Sequence, residues 1–205
     1  WHTMLTQQGY VIASFNTQGG GSPRGRAWRK DIYKQVGQLS SKVQSQAVQE
    51  LLKKHAFLDA DRVGVWGWSG GGSSTFDAMT RYPDIYKTGI AVAGISDLRL
   101  YDSIYQERYL GLPEKGEDAY YKGSPINYAD QFKGNLLIIH GTGDDNVHYQ
   151  NLEYMADKLI ELNKPFEMMS YPMRAHGIRA GENTQLHLFS LMTRYLHEHL
   201  PAGGM

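Results

Sequence analysis

A hydroxyl, an imidazole and a carboxylate stand in this chain in an order that suits acyl transfer. Ser69 sits in Gly67-Trp68-Ser69-Gly70-Gly71, after Arg62-Val63-Gly64-Val65-Trp66, which reads as a buried strand, and before Ser73–Met79, which reads as the opening of a helix. A serine on a sharp strand-to-helix turn projects its hydroxyl above the strand end, and flanking glycines keep side chains clear of the neighbouring strand and helix. Serine hydroxyl is a poor nucleophile until a base accepts its proton, and imidazole does so near neutral pH. His176 follows a strand-like Phe166–Tyr171 in the short loop Pro172-Met173-Arg174-Ala175-His176-Gly177. A carboxylate must then fix the imidazole tautomer and stabilise the imidazolium. Two carboxylates, Asp144 and Asp145, follow the apolar run Leu136-Leu137-Ile138-Ile139 in the turn-rich His140–Asn146. Adjacent residues of an extended loop point to different sides, so only one can face His176. Asp144, nearer the strand end, is preferred over Asp145, for which bonding to its own backbone in a turn is the ordinary role.

These loops need a scaffold that brings them to one edge. Val43, Ala47, Val48, Leu51 and Leu52 recur at helical spacing, which predicts an amphipathic helix near 42–56. Strands are expected at 10–15, 62–66, 88–93, 136–139 and 166–171, and further helices at 1–8, 149–162 and 186–196. Residues 16–40 read as a Gly-rich basic loop and 95–128 as an irregular, aromatic-rich excursion. Strands alternating with helices predict a mostly parallel sheet with helices on both faces. Nucleophile, acid and histidine in that chain order, each after a strand, make the fold class α/β, of the α/β-hydrolase type. The backbone N–H of Gly70 is then the first oxyanion donor. Five strands are expected here against the usual eight, so the N-terminal strands, with the loop supplying the second donor, are expected to be absent from this chain.

Composition excludes several other functions. The 205 residues suffice for one sizeable core. Lys+Arg and Asp+Glu both number 21, so no net field favours nucleic acid or an anionic membrane. No apolar run approaches ~18 residues, so no membrane-spanning segment is read. With no cysteine there is no disulfide, thiolate nucleophile or Cys-type metal site. No cofactor and no metal are called for.

Gly67-Trp68-Ser69-x-Gly-Gly, Tyr101-Asp102-Ser103-Ile104-Tyr105-Gln106-Glu107-Arg108-Tyr109 and His140-Gly141-Thr142-Gly143-Asp144-Asp145-Asn146-Val147-His148 resemble the prolyl oligopeptidase family of serine peptidases, within it the dipeptidyl peptidase IV branch. The resemblance covers nearly the whole chain. It implies that residues 1–205 are the C-terminal portion of one hydrolase domain, preceded by a β-propeller and the first hydrolase strands. It implies peptide substrates, release of N-terminal dipeptides with proline or alanine second, a homodimer, and a bacterial envelope or secreted location. It assigns Ser69, Asp144 and His176 as nucleophile, acid and base, and places Tyr101, Tyr105, Val147 and Leu98 around the pocket for the residue before the cleaved bond. Asn146 would contact a substrate carbonyl, and Tyr101 would lie near the free amine. Gly70 stands where this branch has tyrosine, and Leu98 where it has a pocket tryptophan; both changes imply a wider pocket and a weaker proline preference.

Other features have ordinary explanations. Gly19–Arg26 lacks the Lys-Ser/Thr ending of a phosphate loop, and Pro23 removes an N–H, so a mobile loop is the reading. Arg24, Arg26, Arg29 and Lys30 read as a solvated face. His187, His197 and His199 do not share a metal-binding face. His140 and His148 flank the acid loop and either could support the site as an outer partner, but packing or turn roles are preferred for both. The alternatives to a dipeptidyl peptidase are a serine esterase, an acylaminoacyl- or oligopeptidase on the same fold, and a non-catalytic interaction module.

Overall fold

Apolar strands separated by helices bury both faces only when the strands run parallel, and four of them do so here. In a computed structural model that describes residues 1–203 except Ser22, β1 (Gly64–Trp68), β2 (Thr88–Val92), β3 (Asn135–Gly141) and β4 (Glu167–Tyr171) pair in that order, all parallel. Ser22 of the Gly-rich loop, and Gly204 and Met205 at the end of the chain, lie outside the described residues. The register aligns Trp68 with Val92, Val92 with Ile139, and Gly141 with Tyr171. Every strand therefore ends at the same edge, and the loops bearing Ser69, Asp144 and His176 leave from it.

Alternation along each strand divides the core into two layers. Ile90, Val92, Leu137 and Ile139 face α1 (His2–Gln7) and α8 (Thr184–His199), packing with Leu5, Leu188, Met192 and Tyr195. Ala91, Leu136 and Ile138 face the other way, onto Phe76 and Met79 of α4 (Gly70–Arg81) and Leu152, Met155 and Leu159 of α7 (Gln150–Glu161). This is an α/β-hydrolase fold, with helices on both faces of a parallel sheet.

The structure departs from the sequence reading in three places. Tyr10–Phe15 is not a strand, so the sheet has four strands rather than five among the described residues. An apolar cleft of about 420 Å³ is lined by Tyr10, Val11 and Ile12 and by Val65 and Trp66 of β1. With no neighbour to hydrogen-bond, strand-type residues cannot form a ladder, and Val11 and Ile12 stand exposed. The 16–40 loop contains the short helix α2 (Gly25–Lys30), and α3 (Gln38–Lys54) begins before the expected start. The 95–128 excursion is mostly helical: a 3-10 turn at Leu98–Leu100, α5 (Ser103–Leu110), α6 (Pro113–Gly123) and a 3-10 stretch at Pro125–Gln131. Its helix starts were legible, since the Asp102 side chain caps α5 by accepting from Tyr105 N–H and Pro113 opens α6.

The turn around Ser69 is so tight that α4 starts at Gly70 directly. A Cβ on Gly72 would come 2.5 Å from the Val92 carbonyl oxygen and 2.9 Å from Gly94 Cα, whereas one on Gly71 would meet nothing within 4 Å. We therefore expect Gly72→Ala to cost about 1–3 kcal/mol through overpacking. Gly71→Ala should be neutral or stabilising by up to about 1 kcal/mol, from helix propensity. Urea unfolding of the two variants checks this; equal midpoints would refute the close helix-to-strand approach.

Candidate active site

Strand, turn and helix fix the nucleophile candidate first. Ser69 N–H donates to the Val92 carbonyl at 2.8 Å, extending the β1–β2 ladder, and its own carbonyl accepts from Ser73 N–H at 3.0 Å inside α4. Caught between the two, Ser69 adopts φ 58° and ψ −119°. Such a backbone costs a non-glycine residue on the order of 1–3 kcal/mol and persists only where its surroundings impose it. Gly70 N–H, in the first turn of α4, has no intrahelical acceptor and is free to donate.

The acid candidate is built at the end of β3. Asp144 is 5% exposed, and its carboxylate is surrounded by donors. Oδ1 accepts from the backbone N–H groups of Asn146 and Val147, both at 2.9 Å. Oδ2 lies 2.8 Å from His176 Nδ1 and 3.1 Å from His140 Nε2. Asp145 is exposed, as its turn role requires. Of the two neighbouring aspartates, the structure brings only Asp144 to His176.

The histidine loop is cross-tied to the acid loop. Thr142 N–H donates to the Tyr171 carbonyl at 3.0 Å, Gly143 N–H to the Arg174 carbonyl at 3.1 Å, and Met173 N–H to Thr142 Oγ1 at 2.8 Å. The Arg174 guanidinium binds the carbonyls of Pro172 and Ala180 and the Thr184 hydroxyl, closing the loop onto α8. Trp68 then joins this loop to the elbow, its indole N–H donating to the His176 carbonyl at 2.9 Å. The residue before Ser69 thus grips His176 directly. With Nδ1 taken by Asp144, His176 Nε2 is the nitrogen left for a hydroxyl. No hydrogen bond joins Ser69 Oγ to His176 among the described residues, and in substrate-free sites that bond often tightens only in the complex.

The excursion supplies aromatic groups nearby. Tyr101 and Tyr105 pack edge to face with centroids 5.7 Å apart, and Tyr105 meets Tyr109 at 4.9 Å. Burial, then the charges of Asp102 and Asp144, hold the Tyr101 phenol above the usual tyrosine value; burial does the same for Tyr105. Both phenols remain donors at neutral pH. Val147 and Leu98 are 0% and 3% exposed, packed with Ile95 and Leu110 in the layer that carries Tyr101. They back Tyr101 from inside the core instead of presenting an open wall, because the helical excursion folds over them. Asn146 is exposed beside the acid, its backbone N–H held by Asp144.

The sequence reading ranked packing above a supporting role for His140. Packing was its expected role, yet Nε2 also contacts the Val147 carbonyl, at 2.8 Å. A polar residue closing an apolar strand was the available signal, since a buried imidazole needs partners. Burial pushes its pKa down, opposed by the Val147 carbonyl and the Asp144 carboxylate. His148 is exposed and takes the turn role, its Nδ1 accepting from Gln150 N–H at 3.3 Å. His187, His197 and His199 bond separately to Tyr171, Gln8 and Glu167. Among the described residues no helix is long and apolar enough to cross a membrane.

The profile of the prolyl oligopeptidase family matches residues 1–203. Prolyl endopeptidase FAP of Mus musculus is 36% identical over 202 residues, covering 97% of this chain and 26% of that protein. Dipeptidyl peptidase 8 of Homo sapiens is 34% identical over 202 residues, covering 96% of this chain and 22% of that protein. The crystal structure of Porphyromonas gingivalis dipeptidyl peptidase 4 superposes with a TM-score of 0.87 at 39% identity, over 90% of this chain and 26% of that one. The chain thus spans about a quarter of the length of these relatives.

Two outcomes follow from this geometry. Trp68→Phe keeps an aromatic ring and removes the N–H that holds the His176 carbonyl, so it should cost about 1 kcal/mol of stability. An unchanged urea midpoint would mean the tie carries no weight. His140 is held neutral in the folded protein, whereas in the unfolded chain it takes up a proton below about pH 6.5. Its stabilising contribution is therefore present above pH 6.5 and lost as the pH falls through the depressed folded value. The stability difference between the unsubstituted protein and His140→Gln should shrink between pH 8 and pH 5, as read from unfolding midpoints; a constant difference would contradict it.

Proposed function

The chain belongs to the prolyl oligopeptidase family of serine peptidases, and from that premise we propose that the protein it forms part of releases N-terminal dipeptides, with proline or alanine second, through an acyl-enzyme on Ser69. The chain is taken as the C-terminal portion of the catalytic domain, and the apolar cleft beside β1 is where further strands of that domain would pack.

Ser69 Oγ attacks the carbonyl carbon of the second residue while His176 Nε2 takes its proton. Charge builds on the carbonyl oxygen, which Gly70 N–H stabilises as one oxyanion donor. The C–N bond breaks as His176 returns the proton to the departing amine, leaving the dipeptide esterified to Ser69. Water, deprotonated by His176, attacks the ester, and Ser69 recovers its proton. Asp144 holds Nδ1–H throughout and stabilises the imidazolium formed in both half-reactions. Tyr101 and Tyr105 receive the side chain before the cleaved bond, and Asn146 meets a substrate carbonyl. The second oxyanion donor and the groups binding the free amine come from outside these residues.

The observation that carries this reading is the 2.8 Å contact between His176 Nδ1 and the buried Asp144 carboxylate, at the edge where Ser69 is held at φ 58°. The test assays full-length protein on chromogenic Gly-Pro and Ala-Pro substrates, their N-blocked versions and a short ester. Free dipeptide substrates should be cleaved fastest, and Ser69→Ala should lower kcat by about 10⁴-fold or more. Equal rates on blocked peptides would favour an oligopeptidase, turnover of the ester alone an esterase, and failure of a fluorophosphonate to label Ser69 a non-catalytic module.

A further inference from the structure

Three N–H groups bond the Asp144 carboxylate, and a fourth, on His140 Nε2, stands 3.1 Å from it with no place in the acyl-transfer steps. We infer that His140 is a positioning residue, its Nε2–H held by the Val147 carbonyl and set against Asp144 Oδ2, where it steadies the carboxylate that orients His176. This rests on the reading of Ser69, Asp144 and His176 as the catalytic triad, and deepens it.

The tautomer follows from the partners. His140 Nε2 lies 2.8 Å from the Val147 carbonyl oxygen and 3.1 Å from Asp144 Oδ2. Both are acceptors, so Nε2 must carry the proton; it donates to the Val147 carbonyl, with Asp144 Oδ2 close beside that bond. The ring has little freedom to do otherwise. His140 belongs to β3, in register with Ser170 of β4, and is 1% exposed. Tyr149 packs edge-on against it, centroids 5.7 Å apart at 79°, and the Tyr149 hydroxyl is bonded to Ser170 Oγ at 2.5 Å. The titratable groups facing His140 are Asp144, His176 and Tyr149.

The chemical consequence concerns rotation of the carboxylate. Asp144 Oδ1 is taken by two backbone N–H groups, while Oδ2 is bonded by His176 and approached by His140. A carboxylate offers about four lone-pair sites; three take hydrogen bonds and the His140 N–H stands beside the fourth. Turning the group to exchange its oxygens would break these three bonds and the His140 contact. Without His140 one lone pair of Oδ2 is left empty in a buried site, and the group can tilt away from His176 just when the imidazolium forms. Because burial keeps His140 neutral, it satisfies Oδ2 without adding a second cation beside the imidazolium.

His140→Gln and His140→Met separate the donor from the space it fills, since the two side chains are of similar length and only the amide can donate. In full-length protein, His140→Met should lower kcat on a Gly-Pro chromogenic substrate about ten- to a hundred-fold, the usual weight of a hydrogen bond to a charged group, with KM within about twofold. His140→Gln should stay within about threefold of the unsubstituted kcat. With one donor fewer, more of the Asp144 charge falls on His176, so the acid limb of kcat/KM should move to higher pH in His140→Met and not in His140→Gln. A folded His140→Met with unchanged kcat, or a His140→Gln as slow as His140→Met, overturns the inference. Should His140→Met not fold, His140→Gln decides it alone, a hundred-fold loss in folded protein overturning it. Ser69→Ala, run in parallel, keeps the two readings apart: its full activity would refute the triad itself, whereas an inactive Ser69→Ala beside an unimpaired His140→Met refutes only the role of His140.

Discussion

Burying a carboxylate strips it of water, and the loops around Asp144 are arranged as compensation for that loss. Its backbone partners, Asn146 and Val147, force the acid loop into a tight turn immediately after β3. Its side-chain partners, His140 and His176, come from the strand that delivers Asp144 and from the loop after the next strand. One carboxylate thus joins two strand ends, and the loops they carry could not splay apart without leaving it uncompensated. The imidazole that remains in contact with it is oriented as a consequence of the same bonds.

Parallel pairing makes this convergence possible. A parallel sheet delivers the C-terminal ends of all its strands to one edge, whereas antiparallel neighbours would carry successive loops to opposite edges. Strand order and chain order coincide from β1 to β4, so elbow, excursion, acid loop and histidine loop line that edge in turn. The Trp68 indole and the His176 carbonyl then tie its two ends together across the intervening strands. Packing on both faces, by α1 and α8 on one side and α4 and α7 on the other, keeps the edge from twisting out of this alignment.

Local preference and tertiary demand disagree most sharply at Ser69. A serine in isolation avoids φ 58° with ψ −119°, yet the β1–β2 ladder on one side and α4 on the other leave no alternative. Glycines at 67 and 72 permit the approach, because a Cβ at either would strike the backbone opposite. Tyr10–Phe15 shows the reverse case. Its residues favour extended chain, but they pair with no strand among the described residues, and preference without a partner yields no strand.

The alternation of apolar runs and helical stripes determined the parallel α/β class and four of the strands, since each buried run needs both faces covered. Residue types and chain order likewise singled out Ser69, Asp144 and His176, because a hydroxyl, a carboxylate and an imidazole on successive post-strand loops have few other uses. The sequence could not decide which groups would share the Asp144 carboxylate, that His140 would turn from packing to bonding, that Val147 and Leu98 would back the tyrosines from within the core, or that Trp68 would hold the histidine loop. Those outcomes depend on strand register and on distances of about 3 Å between residues far apart in the chain, as with Trp68 and His176. Periodicity records which face a residue takes, and only the assembled sheet sets what stands opposite it.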